Sequence, residues 1–203
     1  MKLKIFLILI LNLNFLSCTI KHVSKHKHDN QQVTMRKFDL KQFNRSKTNN
    51  MQITRMKDSS IVELSENESY YQESIKTFNS SFETRYEYDK NTLLLRTEAN
   101  IFHRLLIGVF REYDESGKLI REIDYDKTCK ITVNELINII KKNLNIDLTL
   151  NTNLTTVHRE IDKISGNQEY QIFYKLDPNS YRGITVDCNT GKITRDIIGN
   201  LIE

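Results

Sequence analysis

Two stretches decide how this chain reads: Tyr86-Glu87-Tyr88-Asp89-Lys90-Asn91-Thr92-Leu93-Leu94-Leu95 and, about 25 residues later, Phe110-Arg111-Glu112-Tyr113-Asp114-Glu115-Ser116-Gly117-Lys118-Leu119-Ile120-Arg121-Glu122-Ile123. In the first, Tyr86, Tyr88, Leu93 and Leu95 alternate around the turn Asp89-Lys90-Asn91-Thr92. In the second, Phe110, Tyr113, Leu119, Arg121 and Ile123 flank the turn Asp114-Glu115-Ser116-Gly117. An Asp opening a turn bonds its own backbone, and Gly117 supplies the positive φ that closes a hairpin. Two hairpins with related turns at this spacing indicate a degenerate repeat. Upstream the pattern is weaker: Ile61 to Leu64 and Tyr70 to Ile75 read as short strands, and Phe38 to Phe43 as a short helix or turn.

Downstream, the period changes. Thr132-Val133-Asn134-Glu135 is a capping box, with Ile131 and Leu136 as its hydrophobic staple. Val133, Leu136, Ile137, Ile140 and Leu144 then fall on one stripe, and Asn138, Lys141 and Lys142 face away. A helix is expected from 133 to about 144. Strands are expected around Val157–Ile161, Tyr170–Leu176, Arg182–Val186 and Lys192–Ile197. The class is therefore α+β: antiparallel hairpins followed by a helix packed on a small antiparallel sheet.

Composition agrees with a folded chain. Of 203 residues 38% are hydrophobic and 28% charged, enough apolar material to bury a core. Six glycines and one proline exclude collagen-like and linker-like classes. The formal charge of +4 is too small and too scattered for a nucleic-acid partner.

Within the second hairpin, Ile107-Gly108-Val109-Phe110-Arg111-Glu112-Tyr113-Asp114-Glu115-Ser116-Gly117-Lys118-Leu119-Ile120 resembles a MORN-type repeat of the bacterial variety. Phe110 stands where Trp is usual, and the first copy, Tyr88 to Leu93, lacks the turn glycine. The resemblance implies β-hairpins stacked in a sheet and no chemistry. The helix, the strands after it and the ending Ile184-Thr185-Val186-Asp187-Cys188-Asn189-Thr190-Gly191-Lys192-Ile193 resemble a PepSY-type domain over about residues 131–196. Members of that family often sit outside the cytoplasmic membrane and modulate a partner protein. For this chain the resemblance implies that Asp187 and Gly191 shape a turn.

The first residues tell where the chain goes. Lys2 and Lys4 precede an apolar run, Ile5 to Leu11, far shorter than the ~20 residues a membrane-spanning helix needs. Phe15-Leu16-Ser17-Cys18 then resembles the lipobox of bacterial lipoproteins, with Phe15 in place of the usual Leu or Val. The resemblance implies cleavage after Ser17 and acylation of Cys18, and two or more acyl chains give stable membrane anchoring. Loss of the leader removes Lys2 and Lys4 and no acid, so the mature formal charge is +2. Thr19 to Thr34, with His22, His26, His28 and several lysines, reads as a solvated tether rather than a metal site. The expected organisation is a signal peptide at 1–17, lipidated Cys18 and tether at 18–34, a β-rich region with MORN-like hairpins at 35–128, and a PepSY-like α+β region at 129–203.

The search for chemistry finds no catalytic set. Gly-x-Ser-x-Gly, HExxH, P-loop and Gly-x-Gly-x-x-Gly patterns are missing. Asp187-x-Asn189-x-Gly191 would need an acid at the twelfth loop position to hold calcium, and Ile198 stands there. Cys129 and Cys188 read first as small buried or half-buried thiols, Cys188 sharing strand parity with Ile184 and Val186. A disulfide between them is the alternative that a secreted location permits. His158, at the opposite parity to Val157 and Ile161, is expected in solvent, away from any nucleophile. Neither metal nor cofactor is expected.

The aromatic residues crowding 70–125 serve as sheet core and cross-strand ladders or as a binding surface. The expectation is an envelope lipoprotein, anchored in a membrane and facing the periplasm, that is not an enzyme and binds another envelope protein. Tyr86, Tyr88, Arg111 and Tyr113 are its candidate contact residues. The alternative is an immunity-type protein neutralising a toxin delivered to the periplasm, since MORN-like proteins are sometimes found in such systems.

Overall fold

From Met51 onward strand follows strand, each turning back on the last. The structure, a computed structural model, describes residues 35–150, 155–161 and 166–200, and these belong to one compact unit. The leader, Cys18 and the tether histidines lie outside the described residues. A first sheet of seven strands is a simple antiparallel meander in chain order: β1 (Met51–Arg55), β2 (Ser60–Glu66), β3 (Tyr70–Thr77), β4 (Phe82–Asp89), β5 (Leu95–Phe102), β6 (Leu105–Tyr113) and β7 (Leu119–Asp124). A single 3-10 turn, Tyr125–Thr128, leads to the second half. A second antiparallel sheet has four strands, β8 (Thr155–Ile161), β9 (Gln168–Lys175), β10 (Ser180–Asp187) and β11 (Ile193–Asn200), again in chain order.

Two helices cover these sheets. The first, α1 (Leu40–Ser46), starts where Asp39 accepts a bond from the Gln42 amide. The second, α2 (Val133–Leu144), has the expected bounds and both arms of its capping box: Thr132 Oγ1 accepts from Glu135 N, and Glu135 Oε2 accepts from Thr132 N. Val133, Leu136, Ile137 and Ile140 enter a core with Val157, Tyr170, Ile172, Ile184 and Val186. Phe102 of the first sheet is buried in this same core, with Phe82, Leu105 and Ile107 packed against it. A smaller core joins Phe38 and Phe43 to Tyr71, Tyr88 and Leu95 under α1.

The turns share one piece of chemistry. Asp89 Oδ1 accepts from Asn91 N, Thr92 N and Thr92 Oγ1, and Asp187 Oδ1 accepts from Asn189 N, Thr190 N and Thr190 Oγ1. The fifth residue of each turn is left-handed, Leu93 at φ 59° and Gly191 at φ 71°. Leu93 thus does in the first sheet what glycine does in the second, at a cost of roughly 1–2 kcal/mol for its Cβ. Gly191 has a second constraint, since a Cβ there would lie 2.8 Å from Ile139 Cδ1.

Three features depart from the sequence reading. Strand β1 is an edge strand with four of its five residues exposed, so it carries no apolar alternation to read. Ile161 shares parity with the buried Val157 yet is 62% exposed, because β8 runs past the edge of the core there. Cys129 and Cys188 are joined in a disulfide and are not free thiols: their Cα atoms lie 4.9 Å apart. Backbone bonds from Lys130 N and Ile131 N to Cys188 O place the end of the 3-10 turn against the β10–β11 turn and bring the sulfurs together.

Candidate protein-binding surface

The face of the first sheet under α1 is covered at its two ends and open between them. At one end Phe38 and Phe43 lie on Tyr71, Tyr88 and Leu95. At the other, Phe82, Phe102 and Leu105 meet the α2 core. Between the ends run two cross-strand rows fixed by the register. One is Leu64, Glu73, Tyr86, Glu98, Arg111 and Glu122, and the next is Val62, Ile75, Thr84, Asn100 and Ile107. Residues opposite one another in neighbouring strands stand on the same face, which makes the band a saddle about five strand spacings wide.

The first row is charged and aromatic. Arg111 lies between two carboxylates, 3.0 Å from Glu122 and 3.4 Å from Glu98, and is 37% exposed. Those bonds, Glu122 first, hold its guanidinium more firmly protonated than usual. Burial and then the Glu98 charge raise the Tyr113 hydroxyl above its ordinary range. Arg36 stacks over the Tyr86 ring at 3.7 Å and pairs with Glu73 at 2.8 Å. Half-exposed ion pairs of this kind add about 0–1 kcal/mol to stability.

The second row forms the floor of a cleft of about 450 Å³, where Thr84 Oγ1 donates to Asn100 Oδ1 and Asp126 caps the Gly108 amide. It is lined by Ile75, Phe82 and Ile107 together with the polar groups of Thr84, Asn100 and Asp126. Among the described residues no three His, Cys, Asp or Glu side chains are grouped to hold a metal ion.

Of the four residues singled out from sequence, three come together here. Tyr86, Arg111 and Tyr113 are half-exposed, Arg111 in the open band and both tyrosines against the Phe38 cluster at its α1 end. Tyr88 is placed differently: it is 1% exposed, packed against Phe38, and its hydroxyl donates to Glu73 while accepting from Arg36 Nε. Its role is to hold the segment before α1 on the sheet, and burial with the Glu73 charge raises its hydroxyl pKa. Glu98, Glu122 and the cleft row were missed from sequence, because only the register reveals that they flank Arg111. No family model, curated protein or solved structure matches this chain.

Proposed function

We propose that this protein is a lipid-anchored envelope lipoprotein that works by binding another envelope protein and not by catalysis. The observation that carries the binding part is the saddle: a sheet face closed at both ends, with Arg111 half-exposed between them and Tyr86 and Tyr113 half-exposed where they pack against the Phe38 cluster. Interface cores are enriched in aromatic residues and Arg, and half-exposed tyrosines around an arginine fit that composition. The envelope location is supported by the leader with its lipobox at Cys18. The Cys129–Cys188 bridge also supports it, since such bonds persist in oxidising compartments. The meander with Asp-opened hairpin turns is in keeping with a MORN-like first region, and a helix followed by four antiparallel strands with a PepSY-like second.

Metabolic labelling with a fatty-acid analogue tests the anchor. Wild type should take the label and Cys18→Ala should not; equal labelling ends the lipoprotein reading. Alanine at Tyr86, Arg111 and Tyr113 together should abolish partner binding in a protein that still folds, and unchanged binding ends the saddle reading.

A further inference from the structure

The cleft of about 450 Å³ on the saddle has an apolar floor and one charge left over. Its volume falls within the range of ligand sites, about 300–1,000 Å³. Ile75, Phe82 and Ile107 line it, and Gly108, left-handed at φ 59°, turns β6 through a bulge beside them. Lys76, Glu83 and Asp126 are its charged lining residues. Lys76 pairs with Glu63 at 3.4 Å and Glu83 with Arg85 at 2.8 Å, so both are neutralised from outside the cleft. Asp126 is different. It is exposed, its Oδ1 accepts from Gly108 N at 3.0 Å, and it makes no ion pair among the described residues. Lys127, its neighbour in the chain, turns to Asp124 instead.

The neighbouring row leans the same way. Glu73, Glu98 and Glu122 stand there against Arg36 and Arg111, three carboxylates to two guanidiniums. A cation reaching this face meets a free carboxylate in the cleft and an acid excess along its flank, whereas an anion meets neither. The floor then selects the cation's shape. A hydrocarbon stem lying over Ile75 and Ile107 removes apolar surface from water while its charged head reaches Asp126. Lysine and arginine have that build, and a metal ion does not. The described chain begins elsewhere on the sheet: Met35 lies over Gly117 at the β6–β7 turn, while Asp126 follows the other end of β7.

We propose that this cleft takes a lysine or arginine side chain of the partner protein, its stem on Ile75 and Ile107 and its head on Asp126. The inference rests on the reading of this face as a protein-binding surface and adds the chemistry that the surface recognises. A basic anchor in the cleft fixes the partner's register on the saddle, and the half-exposed aromatic residues beside it supply apolar contact.

The test is a methyl NMR titration of the full-length protein in detergent micelles, labelled at isoleucine, with Nα-acetyl-lysine methylamide as the probe. The Ile75 and Ile107 signals should shift saturably and that of Ile198, on β11, should not. The Nε-acetylated probe keeps the stem, loses the charge and should bind about tenfold more weakly. Asp126→Asn still accepts from the Gly108 amide through its side-chain oxygen, so the bulge is kept. It should weaken the charged probe about tenfold and leave the neutral one unchanged. Lys21→Gln, Lys25→Gln and Lys27→Gln together should change nothing. In the native envelope, benzoylphenylalanine in place of Tyr113 should give a partner adduct that Asp126→Asn reduces severalfold. No saturable shift, equal binding of the two probes, or indifference to Asp126→Asn would each overturn the proposal. So would tighter probe binding once the three tether lysines are gone, which makes the chain's own tether the occupant. An adduct undiminished by Asp126→Asn overturns the basic anchor and leaves the saddle standing, whereas no adduct without that substitution overturns both.

Discussion

Cutting the Cys129–Cys188 bridge should cost about as much as a large core substitution. The crosslink spans 59 residues of sequence. Closing a loop of that length in the unfolded chain removes entropy worth about 4 kcal/mol at 25 °C. The folded side should change little, because Lys130 N and Ile131 N both keep their backbone bonds to Cys188 O, which hold the two segments together. Cys129→Ala with Cys188→Ala avoids leaving a polar group in a site where Cys188 is fully buried. In urea the midpoint should fall by about 2 M for a slope near 2 kcal/mol/M, and Tm by roughly 8–16 °C. The slope itself should rise, since the reduced chain unfolds to a more open ensemble. Wild type treated with a thiol reductant should superimpose on the double mutant. A loss below about 1 kcal/mol, well short of the loop-entropy value, or free thiols in the untreated protein, would refute the reasoning.

Four further outcomes are expected. Thr132→Ala removes the α2 cap and should cost about 1 kcal/mol, and Ile137→Ala about 2–5 kcal/mol, with Lys141→Ala near zero as the control in urea unfolding. Gly191→Ala places a Cβ on a residue at φ 71° and against Ile139, so circular dichroism melts should show a loss of at least about 1 kcal/mol. His103 is buried with Nε2 2.7 Å from Leu148 O, and burial lowers its pKa. The unfolded chain then takes the proton first, so stability should fall as pH drops below about 6.5, and His103→Gln should flatten that stretch of a midpoint-against-pH curve. Asp147 is held down to about 2, first by its bond from Thr149 and then by Lys141. Its contribution is present above the unfolded value near 4 and is lost between about pH 4 and 2, a slope that Asp147→Asn should remove.

How much of this was legible depends on where the signal lives. α2 was readable to the residue because its cap, staple and stripe are local. The two Asp-opened turns were readable because a side chain accepts from the backbone within three residues, Thr92 N to Asp89 and Ser116 N to Asp114. Leu93 in a left-handed conformation was not, since nothing about leucine announces it; the identity of its turn with that at Asp187 emerges only from the bonds. Strand β1 escaped because an exposed edge strand needs no apolar alternation. The pairing of Cys129 with Cys188 joins segments 59 residues apart and required the 3-10 turn to dock on the β10–β11 turn. At the candidate site, sequence found Tyr86, Arg111 and Tyr113 together with Tyr88; the packing of Phe38 on Tyr88 buries that one, and the register adds Glu98 and Glu122 beside Arg111.

The central claim is that an anchored protein holds a partner on the saddle. Photocrosslinking tests it most directly: benzoylphenylalanine placed singly at Tyr86, Tyr113 and, as a control, Lys142 on the solvent face of α2, in the full-length protein in its own envelope. Positions 86 and 113 should give the same discrete adduct, Lys142 none, and Cys18→Ala should reduce the adduct sharply as confinement to the membrane is lost. An adduct from Lys142 equal to those from 86 and 113, or no adduct from either saddle position, would contradict it.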